Sequence, residues 1–134
     1  MKLIAIDLGK TYGWAYKDNN GIESGEGTYT ELTDWGKSFA DLLDKWKPDI
    51  VVLSQTNNFG HWNASRCMLM QAGVAFYICG KRGIPGVELN DSTARKQVFG
   101  KAIKKIEVQK LRPGFKPNEL DACVLAEGWA MLDK

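Results

Sequence analysis

Lys2-Leu3-Ile4-Ala5-Ile6-Asp7-Leu8-Gly9 opens the chain with an apolar run of strand length that carries a single acid and closes on glycine. Near-continuous apolarity over so few residues reads as a buried strand rather than one with a wet face. Trp14-Ala15-Tyr16, the turn residues Asp18-Asn19-Asn20-Gly21 and the β-prone stretch 22–29 then read as two antiparallel strands joined by a hairpin. A second run of the same character, Asp49-Ile50-Val51-Val52-Leu53-Ser54, is expected to lie centrally, beside the first.

Helical spacing fills the intervals. Trp35, Phe39, Leu42, Leu43 and Trp46 recur on one face from Asp34 to Trp46, where Lys47-Pro48 stops the pattern. Met68, Leu69, Ala72, Ala75, Phe76 and Cys79 mark a second helix over 63–80, ended by Gly80 and Gly83. A short strand is expected over Val87 to Leu89, then a helix capped by Asp91 or Ser92 and running through Val98, and a last helix after Pro117. The order predicts an α/β fold: a mixed sheet of three antiparallel N-terminal strands plus parallel strands, flanked by helices. With 134 residues it is expected to form a single domain over 1–134.

The composition, 44% hydrophobic and 25% charged, is that of a globular chain and excludes a low-complexity one. No run approaches the length of a membrane span and no signal-peptide pattern opens the chain, so a cytoplasmic location is expected, in a bacterial or phage-infected host cell, with no membrane partner. Cys67, Cys79 and Cys123 are odd in number, widely spaced and set among apolar residues, which argues for buried small hydrophobes rather than disulfides or a metal site. The net charge of +2 hides a local excess: Arg95, Lys96, Lys101, Lys104, Lys105, Lys110, Arg112 and Lys116 are opposed over that stretch only by Glu107. Such a stretch suits a phosphate backbone, and equally a solvated helix face.

Two places can carry chemistry. Asp7 ends a buried strand, where an ionised carboxylate needs a donor, a counter-charge or a metal; the amides of the following glycine turn are the simplest donors. Asn118 and Asp121 lie three apart, so they share a helix face and could address one ion. Asn118 is equally a good N-cap, with Asp121 closing a variant capping box.

The stretch Ile4-Ala5-Ile6-Asp7-Leu8-Gly9-Lys10-Thr11-Tyr12-Gly13-Trp14-Ala15 resembles the opening of RuvC-type Holliday junction resolvases, members of the ribonuclease H-like superfamily. Pro48-Asp49-Ile50-Val51-Val52-Leu53-Ser54-Gln55 is similar to that family's second characteristic strand, and Leu120-Asp121-Ala122 to its closing helix. The three matches follow the family's order across nearly the whole chain. The resemblance implies a homodimeric endonuclease that cuts branched DNA with two Mg²⁺ ions, which Mn²⁺ can replace. It makes Asp7 and Asp121 metal ligands, with Asn118 or Glu119 beside them, and brings Lys96 and Lys105 to the scissile phosphate or its neighbours. It also implies DNA contacts from Arg95, Lys96, Lys101 and Lys104, and from Phe59, His61 and Trp62 in the loop after the second strand. The small size is compatible with a phage or viral resolvase. The dimer is expected through the helix of 63–80.

The chain departs from that pattern at two ligands. Ser54 stands where the family has a metal-binding Glu, and Asn118 where it has an acid. Either cleavage is disabled while junction binding survives, or the site is rewired through Asn118, Glu119 or a neighbour. Asp7-Leu8-Gly9-Lys10-Thr11-Tyr12 also resembles the first phosphate loop of actin-like ATPases, but those need two such domains, and a second phosphate motif is lacking.

Overall fold

The computed structural model describes residues 1–56 and 62–133, with Trp62 described in its backbone only. The elements are β1 (Leu3–Asp7), β2 (Thr11–Asp18), β3 (Gly21–Thr28), α1 (Leu32–Trp46), β4 (Ile50–Ser54), α2 (Trp62–Arg82), β5 (Gly86–Leu89), α3 (Asp91–Phe99), α4 (Lys105–Leu111) and α5 (Pro117–Leu132). They form one five-stranded sheet in the order β3-β2-β1-β4-β5. The β3-β2 and β2-β1 pairs are antiparallel, and β1-β4 and β4-β5 are parallel. The expected mixed sheet is therefore present, with the two apolar runs paired at its centre.

Strand period assigns the two faces. Ile4, Ile6, Val51 and Leu53 point to α1 and α2, where Trp35, Phe39, Leu43, Ala72, Ala75 and Cys79 complete one core. Leu3, Ala5, Ala15 and Val52 point the other way, onto α3, α4 and α5, with Ala94, Val108, Leu120 and Leu125. Burial on both faces explains why β1 and β4 carry almost no polar residue. Asp7 shares the parity of Leu3 and Ala5, and Ser54 that of Val52, so both belong to the α5 face.

Several boundaries differ from the sequence reading, each for a local reason. α1 starts two residues earlier than Asp34, which sits within its first turn. α2 runs one residue further at its start and two further at its end, because Gly80 lies on an open side where a missing side chain costs no packing. The cap of α3 is Asn90, whose side chain accepts from the Ser92 N–H, so neither Asp91 nor Ser92 serves as cap. α3 ends at Gly100 in the left-handed region, φ 73°, which suits glycine. Cys67 is exposed on α2, while Cys79 and Cys123 are buried as expected.

Two close approaches dock α5. A Cβ on Gly13 would lie 1.8 Å from the Asn118 carbonyl oxygen, so the first turn of α5 rests directly on the backbone of β2. A Cβ on Gly128 would lie 2.8 Å from Ala94 Cα, which sets α3 hard against the far part of α5. Since Gly13 is paired with Asp7, the first contact delivers α5 beside the end of β1. No helix among the described residues is long and apolar enough to cross a membrane.

Candidate active site

Asp7 ends β1 at 8% exposure, facing α5. The glycine-turn amides that could have satisfied it are engaged elsewhere. The Leu8 N–H donates to Ser54 Oγ at 2.9 Å, and the Gly9 N–H to Oε1 of the fully buried Gln71 at 2.8 Å. Asp7 instead meets the carboxyl of Asp121, one turn into α5 from the contact at Gly13. The Asp121 side chain is 9% exposed, and Lys105 Nζ approaches its Oδ2 to 2.6 Å from the start of α4.

A third acid completes the cluster. Asp91 is the first residue of α3, and with Asp121, Ala94, Arg95 and Val124 it lines a narrow cleft between α3 and α5. The electrostatics follow from this crowding. Burial, then the charges of Asp91 and Asp121, push the Asp7 carboxyl up to about 8, with Lys105 acting in the opposite sense. Asp91 is raised to about 6, by burial and then Asp121, against Arg95 and Lys105. Burial works against the Lys105 ammonium, but its hydrogen bond to Asp121 and the charges of Asp121, Asp7 and Asp91 outweigh this and raise its pKa. Three acids thus surround one ammonium at the carboxyl end of β1. Among the described residues no three ligand-type side chains converge closely enough to enclose an ion as they stand.

The other sequence candidates are placed differently. Ser54 is 2% exposed, and its hydroxyl ties the end of β4 to that of β1 by accepting from Leu8. Ser54→Ala is expected to strand this buried N–H and lower stability by about 1–3 kcal/mol in urea denaturation. Asn118 is not the cap of α5: Pro117 opens the helix after Lys116, and Asn118 is its second residue. Its N–H and that of Glu119 donate to Glu26 Oε2 on β3, at 2.9 and 3.3 Å. Glu119 accepts from the Ser24 hydroxyl at 2.7 Å and from the Lys116 N–H, so its carboxylate is tied to β3 and the helix start. The capping role read for Asn118 and Asp121 thus falls to Glu26 and Glu119.

Arg95, Lys96 and Lys104 line a shallow groove of about 450 Å³, together with Ser92, Ile103 and Glu107. Arg95 also borders the Asp91–Asp121 cleft, so groove and acids are contiguous. Its guanidinium donates to the Ile103 carbonyl and the Ser92 hydroxyl, which fixes the connection between α3 and α4. Lys96, Lys101 and Lys104 are exposed. Phe59 and His61 lie outside the described residues, as does the Trp62 side chain.

Asp91 and Glu26 were not singled out from sequence as site and capping groups. Asn90-Asp91-Ser92 reads as an ordinary helix start, and nothing local to β3 distinguishes Glu26 from its neighbours.

The sheet order, with antiparallel β3-β2-β1 continued by parallel β4 and β5 and helices on both faces, defines a ribonuclease H-like fold. Within that class the fold is that of RuvC-type Holliday junction resolvases. T. thermophilus RuvC in complex with Holliday junction substrate superposes with a TM-score of 0.82, at 12% identity, over 99% of this chain and 94% of that one. The yeast mitochondrial Holliday junction resolvase Ydc2 gives 0.60, at 14% identity, over 98% and 80%. Fowlpox virus resolvase with its substrate Holliday junction DNA gives 0.53, at 18% identity, over 99% and 97%. No protein-family model matches the sequence, and no curated protein matches it.

Proposed function

We propose that this protein is a structure-selective endonuclease that resolves four-way or other branched DNA by hydrolysis assisted by a divalent cation. The observation that carries the reading is the Asp7–Asp121 pair: two carboxyls packed together, nearly buried, at the carboxyl end of the central strand and next to a basic groove. The similar structures support branched DNA as the substrate class, since two of them hold Holliday junction DNA.

The residues fit Mg²⁺ or Mn²⁺. The donors are all oxygen, as hard cations prefer, and a dication would offset both the burial and the neighbouring acids that hold Asp7 near 8. Asp7 and Asp121 would hold it, and it would supply Lewis acidity and an activated water for phosphodiester hydrolysis. Two carboxylates suffice for one ion; the two-ion arrangement of related chemistry calls for a further acid. Lys105 Nζ holds its proton on the Asp121 side and, being half exposed, also reaches solvent where a phosphate would sit. Arg95, Lys96 and Lys104 in the groove, with Lys101 beside it, offer the phosphate backbone its counter-charges.

The test is binding and cleavage of a labelled four-way junction, for this chain and for Ser54→Glu. Selective junction binding in EDTA and paired cuts on adding Mn²⁺ are expected, and failure to prefer the junction over linear duplex would sink the reading. A second reading, a junction-binding protein without cleavage, is favoured by Ser54 and Asn118 at positions where the resemblance expects acids. Binding without cleavage by both forms would establish it, and cleavage by the Glu form alone would identify a disabled nuclease.

Resolution needs two cuts, and the outer face of α2 supplies a surface for pairing two copies. Leu69, Met70 and Tyr77 are 52%, 43% and 67% exposed there, and Gly73 between them and Gly80 beyond Tyr77 leave open backbone. Glycine inside a helix costs about 1 kcal/mol relative to alanine, which close helix–helix approach offsets. Light scattering at micromolar concentration is expected to give a dimer, and Leu69→Glu with Tyr77→Glu a folded monomer. A monomeric parent chain would end this assignment.

A further inference from the structure

The chain lacks an acid at the end of β4, yet the three parallel strands end in line. Ile6 is level with Leu53, and Ser54 with Leu89, so the carboxyl ends of β1, β4 and β5 form one edge on the α5 side. Asp91 stands two residues beyond Leu89 on that edge, one strand over from the missing acid. It shares a cleft with Asp121, and the contact of Gly128 with Ala94 holds α3 against α5 and fixes their spacing.

Helix α3 does not use this carboxylate as its cap. Asn90 already caps the helix, and the Arg95 guanidinium one turn on is engaged by Ile103 and Ser92. Among the described residues Asp91 forms no ion pair, Lys105 being directed at Asp121. Asp7, more than nine-tenths buried, is left by the Leu8 and Gly9 N–H groups, which donate to Ser54 and Gln71, and its carboxyl faces into this same cluster with the Asp121 carboxyl as its hydrogen-bond partner.

We infer that Asp91 supplies the third carboxylate of the cation site, replacing from the end of β5 the acid that the chain lacks at Ser54. The inference rests on the cation-assisted reading above. It would add a third carboxylate without any change at position 54, because the next strand's end brings its own acid to the same edge, and a bound cation would have to draw the three acids together. It also gives α3 a double duty, since Arg95 on its following turn borders the groove proposed for the phosphate backbone.

Mn²⁺ binding to the DNA-free full chain, followed by loss of the free-ion electron paramagnetic resonance signal, tests this without reference to cleavage. Asp91→Asn and Asp91→Ser, both compatible with a helix start, are expected to weaken Mn²⁺ binding roughly tenfold or more while circular dichroism stays unchanged. Asp7→Asn is expected to abolish binding. Parent-like affinity in the folded Asp91 variants, with binding lost in Asp7→Asn, would overturn the inference and leave the function reading intact. A parent chain that binds no Mn²⁺, or an Asp7→Asn form that binds it as well as the parent, would overturn both.

Discussion

Asp7→Asn is expected to abolish junction cleavage and, in EDTA at neutral pH, to make the protein more stable. The two effects have one origin. Asp7 is buried against Asp121 with Asp91 nearby, and its folded-state pKa of about 8 lies far above the 3.8 of an ordinary Asp. The folded protein therefore binds this proton more tightly than the unfolded chain does. Its contribution to stability is full below about pH 4 and is lost as pH rises toward 8. At pH 7 the loss is on the order of 4 kcal/mol by linkage, and asparagine escapes it. Urea denaturation of the parent in EDTA should show stability falling between pH 5 and 8, with a flatter profile in Asp7→Asn. Mn²⁺ should restore stability to the parent alone. Equal pH profiles for the two proteins would mean that the buried pair is not strained in the way described.

Gly13→Ala is expected to be the most damaging glycine-to-alanine change among the described residues. The added Cβ would lie 1.8 Å from the Asn118 carbonyl oxygen and 2.8 Å from the Glu119 nitrogen, both backbone atoms that no rotamer change can move. Relief requires lifting the first turn of α5 from β2, which breaks the hydrogen bonds that turn donates to Glu26 and carries Asp121 away from Asp7. Overpacking against yielding side chains costs 1–3 kcal/mol; against fixed backbone we expect about 3 kcal/mol or more. Thermal unfolding would read the loss directly. A mild loss of stability with normal cleavage would show that α5 need not rest on β2 to build the site.

The apolar runs around Asp7 and before Ser54, and the helical spacing of Trp35, Phe39 and Leu43, led to the sheet and its helices because periodicity reports burial one element at a time. The same argument identified Asp7, a charge with nowhere to go inside a strand, and Asp121 followed from the family resemblance. It misassigned the start of α5, where Asn118 looks like a cap, because the true acceptor, Glu26, is 92 residues away in sequence. It also left Asp91 as a plain helix start, since only the docking of α3 on α5 brings that carboxylate to Asp121.

The sequence by itself determined the strands, the faces they bury and the one acid that must find a partner, because these depend on residue type and on a period of two or 3.6. Tertiary structure alone decided which groups answer that acid. Two contacts that only glycine permits, Gly13 under Asn118 and Gly128 against Ala94, set α5 and α3 at the end of β1 and bring Asp121 and Asp91 together there, where Lys105 from α4 meets Asp121.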